Sequence, residues 1–282
     1  MTREQLESAV VRLAASDAPD ANEARQVVAE LRTALSSGAV RAAVPDADSP
    51  TGWRVNAWVK QGILLAFRVG SLQALPGQPG SLPFSDKDTL PIASPDVARG
   101  VRLVPGGSAV RDGAYLGRRV VCMPPMYINI GAFVDDDSLV DSHALVGSCA
   151  QVGKRVHLSA AAQIGGVIEP VGSLPVIVED EVLVGGNCGI YEGAIVRRRA
   201  VLASGTVITG STPIYDLVRE RIIAPREGEP VVVPEGAVVV PGARKVTREP
   251  GASWGLSLAT PVIVKYRDER TDTRVELERW IR

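Results

Sequence analysis

Residue types that build many functional sites are scarce in this chain of 282 residues. Aromatic residues make up only 4%, so the core must be built mainly from aliphatic side chains. Two histidines, and three cysteines without CxxC spacing, do not supply a zinc site of the usual ligand pattern, and no metal is expected. Free thiols indicate a reducing, cytoplasmic location. No apolar run reaches the roughly 20 residues of a membrane span, and no signal-peptide core is visible.

The charge of the chain is nearly balanced, with 31 basic and 32 acidic residues. A nucleic-acid-binding domain normally carries a basic excess, so that class is not favoured. Hydrophobic residues make up 45% and can fill a substantial core. The 28 glycines and 20 prolines indicate frequent turns, which argues against a long helical bundle.

An aliphatic residue or a cysteine recurs every six residues over much of the chain. One run begins at Val104 and ends at Ile164, a second extends from Val178 to Ile208, and two further hexads follow. A helix repeats every 3.6 residues and a simple strand every two, so neither explains this period. Six residues suit one short strand and one turn of a parallel β-helix. Three such units form a triangular coil, and coils stack about 4.8 Å apart.

The repeat divides the chain into three predicted parts. Residues 1–100 are predicted to form a helical domain with a connector, 101–245 the β-helix, and 246–282 a small C-terminal segment. Loops near 169–176 and 213–232 interrupt the repeat, because they are rich in glycine and proline or lack the hexad pattern.

Local patterns predict the elements outside the repeat. Two amphipathic helices are expected within residues 1–38, the first beginning with a capping box of Thr2 and Gln5. The remaining expectations are a helix over 54–68, an irregular connector over 70–96, a strand pair over 256–266 and a short helix over 276–282.

Residues 127–170 carry a more specific pattern, YINIGAFVDDDSLVDSHALVGSCAQVGKRVHLSAAAQIGGVIEP. With Tyr191-Glu192-Gly193 and the STPIYD stretch at 211–216, it resembles the tetrahydrodipicolinate N-succinyltransferases, and WRVNAWVKQGILLAFR near the N-terminus is also similar. The resemblance implies a mainly β fold, a left-handed parallel β-helix with an N-terminal helical domain. Handedness comes from the resemblance alone, because parallel crossovers are in general right-handed.

The resemblance also implies an activity. The enzymes of this family transfer the succinyl group of succinyl-CoA to L-2-amino-6-oxopimelate, the open hydrated form of tetrahydrodipicolinate, in diaminopimelate and lysine biosynthesis. The expected assembly is a homotrimer with active sites between subunits, because closed cyclic symmetry covers the flat faces of such prisms.

Two acidic residues correspond to the catalytic positions of the family, Asp141 and Glu192. Asp141 is expected to hold the acceptor ammonium and accept its proton, with Glu192 orienting the acceptor or relaying the proton. Counting hexads places them on different faces of the prism. They can still meet across a subunit boundary, and the sequence leaves open whether the two acids come from one chain or two. An arginine clamp for the acceptor carboxylates corresponds best to Arg102, with Arg111 as the second candidate.

The donor is expected along a groove near residues 203–212, with Ala203 and Ser204 among its contacts. The Gly166 backbone is a candidate donor to the oxyanion. A basic cluster of Arg244, Lys245 and Arg248 is a candidate partner for the CoA 3′-phosphate, a solvated charged turn being the competing interpretation.

The sequence departs from the family pattern in ways that leave alternatives open. His143, Tyr191 and residues 160–162 and 187–189 differ from the usual residues and bear on acyl-pocket size or acceptor choice. His143 is either a general base or a surface histidine. The alternative functions are acetyl-CoA-dependent transfer to the same acceptor and a non-catalytic structural β-helix; a sugar-nucleotide enzyme is less favoured because no nucleotide-binding glycine loop precedes the repeat.

Overall fold

A computed structural model describes residues 1–75, 84–94, 96–224 and 226–268 of the chain. The N-terminal layer consists of helices α1 (Arg3–Ala15), α2 (Ala21–Ser36) and α3 (Ala57–Val69), with strands β1 (Ala43–Pro45), β2 (Trp53–Val55), β3 (Leu72–Leu75) and β4 (Phe84–Lys87). A 3-10 turn at Val97–Arg99 leads into the repeat.

The N-terminal helices follow the local signals, with two corrections. The capping box is confirmed: the Thr2 side chain accepts from the Gln5 amide while the Gln5 side chain accepts from the Thr2 amide. The third helix begins at Ala57 instead of Arg54, because residues 53–55 pair with residues 43–45. The connector is not wholly irregular, since β3 and β4 form an antiparallel pair.

Nineteen short strands form the β-helix. In chain order they are β5 (Arg102–Leu103), β6 (Ala109–Val110), β7 (Tyr115–Leu116), β8 (Val121–Cys122), β9 (Tyr127–Ile128), β10 (Phe133–Val134), β11 (Leu139–Val140), β12 (Leu145–Val146), β13 (Gln151–Val152), β14 (His157–Leu158), β15 (Gln163–Ile164), β16 (Ile177–Val178), β17 (Leu183–Val184), β18 (Gly189–Ile190), β19 (Ile195–Val196), β20 (Val201–Leu202), β21 (Val207–Ile208), then, after β22 (Ile214–Asp216) and β23 (Arg221–Ile223), β24 (Val232–Val233) and β25 (Ala237–Lys245).

Every third strand joins the same parallel sheet. Sheet 1 runs from β5 through β8 to β25, sheet 2 from β6 to β21, and sheet 3 from β7 to β24. The second residue of most pairs, such as Val134, Val140 or Ile190, is fully buried inside the prism, and Leu103 and Leu116 in the first coil are partly buried against the same core, which confirms the hexad prediction. The first hexad is shifted: Leu103, not Val104, aligns with Cys122, because the turn that follows is one residue longer.

The prism has three corners, and turns at the corners use left-handed backbone. Corner 1–2 joins sheet 1 to sheet 2, corner 2–3 joins sheet 2 to sheet 3, and corner 3–1 closes the coil. His143, Glu192 and Asp137 have φ values of 61°, 54° and 60°, one at each corner. The left-handed conformation is unfavourable for a residue with a side chain, but it allows the chain to turn tightly at the corner. The same turn position adopts it in successive coils.

The N-terminal layer covers the outer face of sheet 3. Ala43 packs with Ile177 and Ile195 in a separate apolar cluster. The Arg41 guanidinium lies 3.7 Å from the centroid of the Phe133 ring. Burial lowers the pKa of Arg41 to about 10.

A hairpin leaves the prism at corner 1–2. Strand β25 continues straight past the corner and pairs antiparallel with β26 (Ser257–Tyr266). Residues 256–266 therefore contribute one strand of a hairpin and do not form the predicted strand pair. The short β22–β23 hairpin joins the edge of β26 through a parallel pairing. The helix predicted over 276–282 lies outside the described residues.

Candidate active site

The two predicted acids lie at different corners of the same prism. Asp141 follows strand β11 of sheet 1 and occupies corner 1–2. Glu192 follows strand β18 of sheet 2 and occupies corner 2–3, two coils further along, or about 10 Å along the axis. This confirms that they are on different faces, and one chain does not bring the two carboxylates together.

Glu192 opens onto a cleft of about 1050 Å³ at corner 2–3. Its Oε2 accepts a hydrogen bond of 2.8 Å from the Gly210 amide, and its side chain is exposed. The β-helix contributes residues 165–167, 191–193 and 210–211, the excursion between β15 and β16 contributes 169, 170 and 172–174, and residues 51, 53, 55, 226 and 228–230 complete the lining.

The Gly165-Gly166 pair lies where successive coils approach closely. A Cβ at Gly166 would lie 2.6 Å from the Ser148 amide nitrogen, and one at Gly147 would lie 2.2 Å from the Gly166 amide nitrogen. Only glycine fits these positions without a backbone shift. Within the described part of the chain the Gly166 amide donates to no acceptor, so its N–H is available at the edge of the Glu192 cleft.

Tyr191 forms part of the same wall. Its ring lies over Gly189 and Gly165: a Cβ at Gly189 would come within 2.4 Å of the Tyr191 Cε2, and one at Gly165 within 2.8 Å of its Cδ1. Two glycines therefore make room for one aromatic ring beside Glu192. The ring narrows the cleft beside Glu192, and Tyr191 is itself one of the residues that depart from the family pattern.

Asp141 is half-buried and belongs to a polar turn at corner 1–2. Its Oδ1 accepts a 2.7 Å hydrogen bond from the Ser142 amide. Within the described residues its side chain forms no ion pair, so the second carboxylate oxygen has capacity for a cationic ligand. His143, two residues on, is exposed and donates its backbone amide to Pro125.

The two candidate arginines differ in their surroundings. Arg102 is exposed on sheet 1, two strands below Leu139, and no side chain of the described chain pairs with its guanidinium. Arg111 lies at corner 2–3, where it pairs with Asp86, donates to the Leu90 carbonyl and donates to the Tyr127 hydroxyl at 2.8 Å. Burial lowers the pKa of Arg111, but the hydrogen bonds to Tyr127 and Asp86 outweigh burial, and the pKa lies above its ordinary value.

Comparison with known proteins places this geometry in a family. The pattern described as the tetrahydrodipicolinate N-succinyltransferase N-terminal region matches residues 3–69, and the hexapeptide repeat of succinyl-transferase matches residues 175–210. The chain is 41% identical over 264 residues to the 2,3,4,5-tetrahydropyridine-2,6-dicarboxylate N-succinyltransferase of Nitrobacter winogradskyi, covering 92% of this chain and 90% of that protein. The chain belongs to the tetrahydrodipicolinate N-succinyltransferase family.

Two further relatives support the same membership. The enzymes of that name from Bradyrhizobium diazoefficiens and Sodalis glossinidius are each 39% identical to this chain. Each alignment covers 92% of this chain, and 90% and 89% of the respective protein. The three parallel sheets of the succinyltransferase fold are those of the left-handed β-helix of hexapeptide-repeat proteins, as the resemblance implied.

The residues predicted to contact CoA in this succinyltransferase divide between the corners. Gly166 lies at corner 2–3, whereas Ala203 and Ser204 lie at corner 1–2, the corner that carries Asp141. Ser204 is exposed, and the Ala203 carbonyl accepts from the Cys188 thiol at 3.1 Å and the Thr206 hydroxyl at 2.7 Å.

The basic cluster of Arg244, Lys245 and Arg248 lies on the hairpin that extends from corner 1–2. Lys245 ends β25 opposite Ser257, and its side chain is exposed. From Val239, which still pairs with Leu202 in sheet 1, strand β25 extends about 20 Å to Lys245. The hairpin therefore presents its cations beyond the body of its own prism.

All three cysteines of this succinyltransferase are buried, as expected for core residues. Burial raises the pKa of Cys122 and of Cys149 to about 12, and it also raises the pKa of Cys188. Such thiols stay protonated at neutral pH and are poor nucleophiles. Within the described residues, no three His, Cys, Asp or Glu side chains are arranged to hold a metal ion, and no helix is long and apolar enough to span a membrane.

Sequence reasoning missed the contribution of the N-terminal layer to the cleft. Thr51, Trp53 and Val55 line it, yet residues 54 and 55 were assigned to a helix. Trp53 Nε1 donates to Glu179 at 3.1 Å, and Arg197 links Glu179 to the Thr51 carbonyl. No periodic signal marks this wall, because the contacts join segments more than 100 residues apart.

Proposed function

We propose that this protein transfers the succinyl group of succinyl-CoA to the amine of L-2-amino-6-oxopimelate, releasing CoA and N-succinyl-2-amino-6-oxopimelate. The observation that carries the proposal is the 41% identity to a succinyltransferase over 92% of the chain. The cleft at Glu192, with its available Gly166 amide, supplies a surface of the right chemistry for acyl transfer.

The active site is composite in this proposal. Asp141 at corner 1–2 of one subunit meets Glu192 at corner 2–3 of a neighbour in a homotrimer. Sheets 1 and 2 of neighbouring subunits meet at the interface in this proposal. On sheet 1 the half-buried apolar side chains of Val121 and Leu183 are available for such packing.

The acid at corner 1–2 activates the acceptor. An α-amine is mostly protonated at neutral pH and must lose a proton before it attacks a thioester. The Asp141 carboxylate holds the ammonium and takes that proton, while Glu192 orients the acceptor or relays the proton. The amine nitrogen then bonds to the thioester carbon and loses its second proton to solvent, the carbon–sulfur bond breaks, and the CoA thiolate leaves with the proton that Asp141 had taken.

Backbone and arginine groups stabilise the charges of this reaction. The Gly166 N–H donates to the oxyanion of the tetrahedral intermediate. Arg102 binds a carboxylate of the acceptor, because its guanidinium is exposed and unpaired within the described chain, whereas Arg111 is engaged by Asp86. Attack is direct, consistent with three buried thiols whose pKa values are raised.

The donor lies along corner 1–2 in this arrangement. Ala203 and Ser204 border the pantetheine arm, and Lys245 on the hairpin binds the 3′-phosphate. Succinyl-CoA is the co-substrate of the proposed reaction, and no step of it uses a metal ion.

The test is thiol release with tetrahydrodipicolinate as acceptor and succinyl-CoA or acetyl-CoA as donor in parallel. The proposal expects strong preference for succinyl-CoA, and Asp141→Asn should lower kcat far more than it changes acceptor KM. Release with acetyl-CoA alone would assign the alternative acyl donor, and release with neither would contradict the proposed reaction. Light scattering should give three times the chain mass of 29.8 kDa.

Replacing Arg102 by alanine tests whether this arginine binds a carboxylate of the acceptor. Arg102→Ala should raise the acceptor KM by at least tenfold and leave the KM for succinyl-CoA unchanged, because in this proposal the guanidinium binds a carboxylate of the acceptor and not the carboxylate of the succinyl group. The exposed Arg118→Ala at corner 3–1 is a matched control. An unchanged acceptor KM in Arg102→Ala would assign the clamp elsewhere.

A further inference from the structure

Lys60 is a fully buried lysine that the proposed mechanism does not use. It lies in α3 with 0% exposure, next to Val59 and three residues before Ile63, both members of the N-terminal apolar core. Burial lowers the pKa of Lys60, while the nearby Cys149 acts in the opposite direction. An ammonium in such a place is costly unless it is hydrogen-bonded.

The partner of Lys60 belongs to the wall of the Glu192 cleft. Its Nζ donates to the backbone carbonyl of Ser173, across 113 residues of sequence. Ser173 lies in the excursion between β15 and β16, where the chain leaves the hexad register. The excursion lines the cleft from Glu169 to Leu174.

The same excursion contacts the turn that carries Glu192. A Cβ at Gly193 would lie 2.5 Å from the Leu174 carbonyl oxygen, so the two backbones are in close contact. Leu174 packs on the apolar cluster of Ala43, Ile177 and Ile195. Both ends of the excursion are therefore packed, Leu174 on this cluster and Ile168 on the N-terminal core. Between them, Ser173 is joined to the helical layer by the Lys60 hydrogen bond.

We propose that Lys60 is a positioning residue, which holds residues 169–173 as the acceptor-side wall of the Glu192 cleft by donating to the Ser173 carbonyl. Only the expected change in acceptor KM rests on the proposed function. The structural part, that the lysine orders the excursion, stands independently of which reaction the protein performs.

The test compares Lys60→Met with Leu65→Met in the full-length protein. The first variant removes the ammonium and keeps an apolar chain in the core; the second perturbs the same helix at a residue 2% exposed without touching the excursion. The partner of the ammonium is a backbone carbonyl, so Lys60→Met leaves no unpaired charge in the core and should still unfold in one cooperative transition. If it does not fold, Lys60→Gln, which stops one bond short of the carbonyl, takes its place.

Hydrogen exchange is the readout that does not require activity. Amides in residues 167–174 should exchange at least tenfold faster in Lys60→Met than in the wild type, and at the wild-type rate in Leu65→Met, because local opening follows lost anchoring. Equal exchange in the wild type and Lys60→Met would overturn the proposal whatever the protein's activity.

The kinetic readout tests the positioning role. The acceptor KM should rise about tenfold in Lys60→Met, while the KM for succinyl-CoA stays within twofold of the wild-type value. Faster exchange with an unchanged acceptor KM would overturn the role in catalysis. An equal rise in both KM values would indicate general disruption and would overturn it as well. Lack of activity in the wild type would instead contradict the proposed function and leave the exchange result decisive for Lys60.

Discussion

The Tyr191 ring lies directly over the Cα of Gly189, so that a Cβ at Gly189 would come 2.4 Å from the Tyr191 Cε2. The pair is adjacent to Glu192 on the sheet 2 side of the cleft. Neither residue can change alone without consequences for the other, because the ring occupies the space that any side chain at 189 would need.

The first prediction concerns this pair. Gly189→Ala should displace the ring and reduce kcat/KM by about tenfold, because the ring is the cleft wall next to Glu192. Tyr191→Val removes the obstacle, so Gly189→Ala should have less than a twofold further effect in that background. A double-mutant cycle of kcat/KM measures this coupling. Additive effects of the two substitutions would contradict the contact.

A mixing experiment tests whether the acids come from different subunits. Asp141→Asn and Glu192→Gln should each be inactive as pure proteins. When the two are co-expressed or refolded together, a mixed trimer holds one interface with both acids intact, so about a quarter of the wild-type activity should return.

The control for this experiment is the double variant Asp141→Asn/Glu192→Gln mixed with Asp141→Asn, in which no interface carries both acids. Activity in the first mixture and none in the second would establish the shared site. No recovery in either, with trimers present by light scattering, would assign both acids to one chain.

The third prediction concerns the basic cluster on the hairpin. Lys245→Glu should raise the KM for succinyl-CoA at least tenfold at low salt, because a like charge would face the 3′-phosphate. With a succinyl donor that lacks the 3′-phosphate, wild type and variant should have the same KM. The exposed Lys154→Glu at corner 3–1 is the charge-matched control. An unchanged KM with intact succinyl-CoA would make the cluster a solvated turn.

The fourth prediction concerns a buried carboxylate that joins the hairpins. The Asp216 side chain has 0% exposure and accepts from the Tyr266 hydroxyl at 2.8 Å, from the Arg219 amide at 3.1 Å and from Arg221. Burial alone would raise the pKa of this carboxyl, but the hydrogen bonds outweigh burial and the pKa lies below its ordinary value.

A depressed folded-state pKa gives a definite pH dependence. The stabilisation by Asp216 is present above the unfolded-state pKa near 4 and is lost as the pH falls through the lower folded-state pKa. Asp216→Asn should therefore cost about 1–3 kcal/mol at pH 7 and progressively less below pH 4, measured by thermal unfolding at several pH values. The exposed Glu235→Gln should behave as wild type throughout. A pH-independent difference for Asp216→Asn would refute the charged-state explanation.

The hexad spacing alone was enough to predict the prism and its inward residues. The period of six is local, since each strand and turn selects its own aliphatic and small residues, and the buried positions from Val110 to Val239 follow from it. The same counting placed Asp141 and Glu192 on different faces. It failed at Val104, because one additional residue in the Pro105-Gly106-Gly107 turn shifts the inward position to Leu103.

Local patterns were insufficient wherever distant segments pair. Residues 54 and 55 of strand β2 were assigned to a helix because the partner strand, β1, lies eight residues away across a turn. Strand β26 was predicted as a strand pair because its partner, β25, is not visible in the local pattern. Whether such a segment forms a helix or a strand depends on the tertiary contacts that it makes, and a short stretch of sequence does not reveal these contacts.

The sequence by itself therefore determined the coil: which residues point inward, where the chain turns and which acids occupy which corners. Only the tertiary structure decided how the Glu192 cleft is enclosed, by Trp53 from the N-terminal layer and by an excursion held from α3 through Lys60 and Ser173. The physical reason is range. A repeat is stabilised by contacts between neighbouring coils, which recur along the chain and therefore give a periodic sequence pattern. The walls of the cleft depend on single contacts between segments more than 100 residues apart, which close long loops and produce no such pattern.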